Sequence, residues 1–343
     1  MLYFANDYSA GAHPELLKAL IETNLEKLPG YGEDVYCERA REKIRRACAC
    51  PGADVFFLTG GTQTNLTALS ALLRGYEGVI AAETGHIGVH EAGAVESSGH
   101  KVIALPGREG KLVPERLKAW LQSFYGDESR EHMVFPGAVY ISQPTEYGTV
   151  YSLAELEALS ALCDEYSLTL YMDGARLGYA LVCPGADAGL EDIARLCGAF
   201  YIGGTKVGAL CGEALVFPKG APEHFFTTVK QRGALPAKGR LLGVQFDALF
   251  TDGLYLRISS GVMDMTRLLR QTLMRRGFRF YLDSPTNQQF ILIENERLEK
   301  LKKDVALTLW ERPDAEHSVV RLATDWSTTA EDIEALDAIL AKL

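Results

Sequence analysis

Between residues 54 and 217 the chain alternates short apolar runs with longer segments of helical period, and this alternation constrains the fold more than any other feature. The runs are Val55–Leu58, Gly78–Ala82, Lys101–Ala104, Gly137–Ile141, Leu168–Met172, Ala199–Ile202 and Ala214–Phe217. They are too short for helices, rich in β-branched and aromatic residues, and apolar at successive positions, as in strands covered on both faces. Thr64–Leu73, Pro114–Phe124, Leu153–Tyr166 and Leu190–Leu196 carry helical periodicity and are long enough to cross over between parallel strands. The prediction is an α/β fold with a mostly parallel central sheet.

Ahead of this block, His13–Leu28 and Glu38–Ala49 read as helices joined by the Gly- and Tyr-rich stretch Pro29-Gly30-Tyr31-Gly32-Glu33-Asp34. This arm has little core of its own. After the block, Gly233–Gly239 is the clearest punctuation, followed by helical pattern to about Arg276 and a shorter α/β set ending in Glu331–Leu343. The predicted division is therefore a large domain with its N-terminal arm, residues 1–238, and a smaller C-terminal α/β domain, residues 239–343.

Composition narrows the function classes. With 35 Lys plus Arg against 45 Asp plus Glu, the net charge is −10, which disfavours nucleic acid and anionic membranes as partners. No apolar run approaches the ~20 residues of a membrane span, and the start lacks a basic region followed by an apolar one, so a cytoplasmic protein is expected. The seven cysteines are odd in number and sit mostly in apolar or helical contexts, as reduced thiols do. Cys48 and Cys50 lack zinc-knuckle spacing, and no metal site is predicted.

Three strand ends carry chemistry, which is where open α/β folds bind ligands. Leu58-Thr59-Gly60-Gly61-Thr62-Gln63-Thr64-Asn65 leaves a strand and opens a helix, so backbone N–H groups, the helix dipole and the Thr62 hydroxyl can receive a phosphate. Without further support this reads as a tight turn with an N-cap. Glu83, at the end of the next strand, sits where a ribose-binding acid would in a dinucleotide fold, but the spaced three-glycine pattern is missing, and dinucleotide binding stays a minor alternative. Tyr171-Met172-Asp173-Gly174-Ala175-Arg176 releases an acid from an apolar strand. Tyr201-Ile202-Gly203-Gly204-Thr205-Lys206-Val207-Gly208 presents one lysine in a small-residue loop, and lysine forms Schiff bases with carbonyl compounds. A phosphate cradle, an acid and a lysine in this order match what pyridoxal 5′-phosphate requires: donors for its phosphate, a carboxylate for its ring nitrogen and an amine for its aldehyde.

The sequence resembles the low-specificity threonine aldolases and the related phenylserine aldolases, in the beta-eliminating lyase group of fold-type I pyridoxal-phosphate enzymes. The resemblance runs from Asn6-Asp7 through Tyr31-Gly32-Glu33-Asp34, Gly61-Thr62-Gln63, His86, Asp173-Gly174-Ala175-Arg176 and Gly204-Thr205-Lys206 to Arg321. It implies an aminotransferase-like fold, cleavage of β-hydroxy-α-amino acids to glycine and an aldehyde, and a homotetramer built as a dimer of dimers. Lys206 corresponds to the Schiff-base lysine, Asp173 to the partner of the ring nitrogen, and His86 to the histidine stacked on the ring near the substrate hydroxyl. Gly61, Thr62 and Gln63 fall in the phosphate loop, Arg176 and Arg321 match arginines for the substrate carboxylate, and Arg240 is similar to one offered to the phosphate by a neighbouring subunit. Asn6 replaces a serine at the carboxylate, Tyr31 lies in a matching segment, and Glu146 stands where many members carry a second histidine, as in the phenylserine-aldolase branch. Other pyridoxal-phosphate reactions, β-elimination or transamination, and a non-catalytic cofactor-binding protein remain alternatives. The base that takes the hydroxyl proton is left open among His86, Glu146 and a water.

Overall fold

The computed structural model describes residues 1–343. After a two-residue strand β1 (Leu2–Tyr3), each of the seven apolar runs forms a strand of one sheet: β2 (Asp54–Leu58), β3 (Glu77–Ala82), β4 (Val102–Leu105), β5 (Phe135–Ser142), β6 (Thr169–Asp173), β7 (Ala199–Gly203) and β8 (Glu213–Phe217). Their order is β2-β8-β7-β6-β5-β3-β4. From β7 to β4 all neighbours are parallel, while β8 runs antiparallel to both β7 and β2. The exception has a simple cause: Gly204–Gly212 is a hairpin-length link, and a parallel pairing needs a crossover of a dozen residues or more.

Alternation along the strands sorts side chains to two covered faces. Val139, Ile141, Met172, Phe200 and Ile202 enter one core, whereas Tyr140, Tyr171, Ala199 and Tyr201 enter the other with Leu69 and Ala68 of helix Gly61–Leu72. Three tyrosines on three neighbouring strands therefore share one face beneath the C-terminal end of β6. The crossover helices Pro114–Gly126, Leu153–Glu165 and Leu190–Leu196 lie close to their predicted limits.

The arm docks on this body instead of forming its own. Helix Val35–Ala47 starts at Asp34, whose carboxylate accepts from the N–H groups of Tyr36 and Cys37 at 3.0 Å, a cap contributing about 0.5–2 kcal/mol. Its buried Cys37, Ala40 and Ile44 join the main core. The helix predicted over His13–Leu28 spans only Pro14–Thr23. Pro29 disfavours helix in the residue before it, and the Arg240 guanidinium binds the carbonyls of Thr23 and Glu26, stopping the helix a turn early. The long helical pattern after Gly239 is two helices, Arg240–Leu249 and Leu254–Arg275, parted at Asp252 and Gly253, both with positive φ.

The C-terminal part adds β9 (Arg279–Phe280), β10 (Gln288–Glu294), β11 (Val305–Ala306), β12 (Thr308–Glu311) and β13 (His317–Ala323). An antiparallel sheet of order β12-β13-β10-β9 shares a core with helices Leu254–Arg275 and Ala330–Leu340. The N-terminus belongs to this core as well. β1 pairs in parallel with β11, and Phe4 is buried among Leu269, Ile291 and Leu322. That anchorage delivers Asn6, Asp7 and Tyr8 to the sheet's C-terminal edge.

Candidate active site

Asp173, the last residue of β6, is 5% exposed and takes four hydrogen bonds. Its Oδ1 accepts from Tyr201 Oη at 2.5 Å and the Ala175 N–H at 3.0 Å, and its Oδ2 from Tyr140 Oη at 2.7 Å and Asn65 Nδ2 at 2.9 Å. Burial pushes this carboxyl up, but His86 and the donors from Tyr201, Asn65 and Tyr140 outweigh it and leave it below its ordinary value. The site thus fixes a buried, ionised carboxylate. Close backbone packing holds the bend beside it, since a Cβ on Gly174 would lie 1.9 Å from the Tyr201 carbonyl oxygen.

His86 begins a short helix at the end of β3. Its Nδ1 meets Glu91 Oε1 at 2.8 Å, and Glu91 is in turn held by Asn65 Nδ2 at 2.8 Å. Burial lowers the proton affinity of His86, yet Glu91 and Asp173 raise it further, so the ring sits above its ordinary pKa. His86, Glu91 and Asp173 present ligand-type atoms within 4.8 Å of one another, and hydrogen bonds among them and Asn65 account for that proximity. The His86 N–H also donates to Glu146 Oε1 at 2.9 Å, which accepts from Ser142 Oγ at 2.7 Å. Glu146 is buried, and that burial raises its pKa.

Lys206 lies in the β7–β8 link. Burial and Arg176 depress its ammonium to about 8, against the pull of Asp7, Asp173 and Glu213. Arg176 is held by Asp7 through Nε–Oδ2 at 2.6 Å and Nη2–Oδ1 at 2.9 Å, which leaves Nη1 for a ligand. Gly60 precedes helix Gly61–Leu72 without any side-chain cap, so its first-turn N–H groups have no capping partner. A Cβ on Gly61 would lie 2.9 Å from Tyr201 Oη. An uncapped helix start beside a glycine that leaves no room for a side chain fits a phosphate cradle.

Gly61, Thr62, His86, Glu146, Asp173, Arg176 and Lys206 come together around one cleft of about 290 Å³. The other expected residues do not line it. Gln63 turns its Oε1 to Thr59, and Asn6 bonds Tyr3, Tyr8 and Ser9. Tyr31 lies under Lys230, whose Nζ is 4.6 Å from the ring centre. Arg240 borders a separate, larger cleft of about 710 Å³ beside Leu20, Thr23 and Glu26. Arg321 is buried by the N-terminal segment, with Nη1 on Gln288 Oε1 and Nη2 on the Ala5 carbonyl; burial first, then Arg176, brings it down to about 10. Its Nε and the neighbouring Gln288 Nε2 are buried without a partner.

Asp7 and Asn65 stand in segments singled out above but carry no role there, and Glu91, Glu213 and the tyrosine set were given none either. One signal was available for the last. Tyr140, Tyr171 and Tyr201 occupy same-face positions in three consecutive β-runs, an unusual use of a hydroxyl in a doubly covered sheet.

The family model for beta-eliminating lyases matches residues 4–291. A low-specificity L-threonine aldolase of a Pseudomonas species is 34% identical over 310 residues, covering 87% of this chain and 86% of that protein. Its Pseudomonas aeruginosa counterpart is 35% identical over 275 residues, 78% of this chain and 77% of that one. A solved threonine aldolase of Leishmania major superposes with a TM-score of 0.95 at 41% identity, over 100% of this chain and 99% of that chain. Aspartate aminotransferase of Thermus thermophilus, at 16% identity and a TM-score of 0.73 over 100% of this chain and 91% of that one, shares the fold. A match of this extent, on a chain whose strand-end residues converge on one cleft, makes it a member of the beta-eliminating lyase family.

Proposed function

We propose that the chain is a pyridoxal 5′-phosphate-dependent lyase that cleaves a β-hydroxy-α-amino acid, of the threonine, allo-threonine or phenylserine type, to glycine and an aldehyde. One observation carries the reading: a half-buried lysine faces the same small cleft as a buried carboxylate that His86 and its hydrogen-bond donors keep ionised. Bound there, the cofactor supplies an aldehyde for an amine and a ring that takes up the electron pair of the Cα–Cβ bond.

The chain's own residues supply the rest. Lys206 offers the amine, and Asp173 is the fixed negative charge for a protonated ring nitrogen. The helix start at Gly61 and the Thr62 hydroxyl receive the phosphate. Arg176 Nη1 is a free donor for a substrate carboxylate in the cleft, and Arg321, which does not line the cleft but bonds Gln288 and the Ala5 carbonyl beyond it, is the second arginine of the proposed clamp. Clamping that carboxylate sets which Cα bond stands perpendicular to the ring and so which bond breaks. His86, with Nδ1 engaged by Glu91, turns Nε2 to the proton of the β-hydroxyl, and Glu146 lies beside it.

A homotetramer with Arg240 serving a neighbouring subunit's phosphate accords with the exposed apolar Leu17, Ile21 and Leu25 and with Arg240 lying outside its own chain's cleft. Sedimentation as a monomer would overturn this. Cytoplasmic residence accords with seven unpaired cysteines; no helix is long and apolar enough to cross a membrane.

The test of the whole reading is the visible spectrum of protein mixed with pyridoxal phosphate. A band present in the native protein and absent from Lys206→Ala supports it, and equal spectra from both refute it.

A further inference from the structure

Glu213 is a third buried carboxylate in the Lys206 cleft, beside Asp173 and Glu146, and none of the roles above employs it. It heads β8 opposite Gly203 and Leu58, is 3% exposed, and lines the same cavity as Lys206, Asp173 and Tyr201. Its hydrogen-bond donors are both neutral: Thr205 Oγ1 reaches Oε1 at 2.8 Å and the Gly204 N–H reaches Oε2 at 3.2 Å. Those two residues immediately precede Lys206. The neck of the loop is tied again by the Gly204 and Thr205 N–H groups on the Gly212 carbonyl, and by the Gly212 N–H on Thr205 Oγ1 at 3.1 Å. A negative charge is therefore clamped at the base of the loop that carries the reactive amine.

A carboxylate buried without a cation is costly, and so is an ammonium. The charged groups acting on Glu213 are Lys206 from its own loop and Asp173 from β6, with the hydroxyls of Tyr171, Tyr201 and Tyr255 and the Cys211 thiol also near it. Those acting on Lys206 are Arg176, Asp7, Asp173 and Glu213, with His86 across the cleft also acting on it. Asp7 and Asp173 are already committed, to Arg176 and to the hydroxyl set, which leaves Glu213 as the carboxylate free to answer the lysine.

We propose that Glu213 is the counter-charge and proton partner of Lys206 across the cleft that both line, one proton passing between them through water in the cleft and not over a direct hydrogen bond. In one form an ammonium faces a carboxylate, and in the other an amine faces a carboxylic acid. Passing between them breaks one N–H bond and makes one O–H bond, and the pair's net charge does not change. The inference rests on the reading of Lys206 given above and extends it. An amino acid enters as an ammonium and must shed a proton before its nitrogen attacks a carbonyl carbon. Glu213 accepts that proton while Lys206 is engaged, and returns it when the lysine amine is released. The matching proton affinities agree: burial brings Glu213 up to about 8 and Lys206 down to about 8.

The experiment reads Lys206 itself in the full-length protein freed of cofactor. Acetic anhydride at trace level labels free amines, and mass spectrometry of the Lys206 peptide across pH gives the proton affinity of that one amine. In native protein the labelling curve is broad because two linked groups share the transition. In Glu213→Gln it becomes a single step, with its midpoint lower by about one pH unit or more, equivalent to about tenfold more free amine at a given pH below the midpoint. Thr205→Val, which removes the hydroxyl's bonds to Glu213 and Gly212 but no charge, leaves the midpoint near the native one. An unmoved midpoint in a folded Glu213→Gln protein, even with lower thermal stability, overturns the proposal and leaves Glu213 as a loop clasp. Should Glu213→Gln fail to fold, Glu213→Asp decides in its place: the shortened acid lowers the midpoint if the charge is felt, and leaves it unmoved if it is not. Because no cofactor is present, a failure here leaves the aldolase reading standing, and a missing Lys206-dependent spectrum leaves this result standing.

Discussion

Replacing Asp7 by asparagine should destabilise the protein more than any other single isosteric change at the site. Asp7 is 1% exposed, and its carboxylate makes two short bonds to Arg176, at 2.6 and 2.9 Å, and accepts a third from Asn287 Nδ2 at 2.9 Å. The Asp7 side chain is fully buried and that of Arg176 is 12% exposed at the cleft, so water screens the pair weakly. Removing one partner of such a pair leaves an uncompensated buried guanidinium and costs about 3–5 kcal/mol. Urea unfolding at fixed protein concentration measures this. The double variant Asp7→Asn/Arg176→Met should be less destabilised than the sum of the single variants, because the orphaned charge is gone. The pH dependence gives a second signature. Burial pushes the Asp7 carboxyl up, but Arg176, Lys206 and the two hydrogen-bond donors bring it well below the carboxylate range. A depressed pKa stabilises above the unfolded value of about 4 and loses that contribution as pH falls. The gap between native and Asp7→Asn proteins should therefore be constant near neutrality and close progressively in acid. A cost below about 1 kcal/mol, or strict additivity in the cycle, would refute the coupling of Asp7 and Arg176 as a poorly screened ion pair.

Three further outcomes follow from particular contacts. Gly174→Ala puts a Cβ 1.9 Å from the Tyr201 carbonyl, which cannot yield inside a fully buried strand, so soluble expression should drop sharply while the less crowded Gly60→Ala expresses normally. Tyr201→Phe deletes one donor to the Asp173 carboxylate, about 1.5–3 kcal/mol for a bond to a charged group, and equilibrium dialysis should find cofactor binding weakened by at least about tenfold. Glu91→Gln removes the charge that holds the His86 pKa up against burial. Its imidazole resonance, followed by NMR, should titrate at lower pH than in native protein, and an unchanged midpoint would show that Glu91 does not set the histidine.

The sheet was legible because a doubly covered strand has no polar face, so each of the seven runs stood out against its helical neighbours. Strand order was not, since it depends on contacts between residues far apart in the chain. The site divides in the same way. Asp173 and Lys206 end strands and are flanked by glycines, a local pattern. Asp7 works on an arginine 169 positions away, and nothing near it in sequence announces that. Glu213 reads locally as the polar edge of an apolar run, and only the hairpin that places β8 beside β7 brings it into the cleft that Lys206 lines. Arg240 matched a phosphate-binding arginine by resemblance, but in its own chain it caps a helix end.

Product analysis from threonine tests the central claim most directly. The account predicts glycine and acetaldehyde in equal amounts, with no ammonia or keto acid, from the native protein with pyridoxal phosphate and none from Lys206→Ala. A keto acid with ammonia, or amino transfer to an added keto acid, would show that Cα–Cβ cleavage is not what this cleft directs.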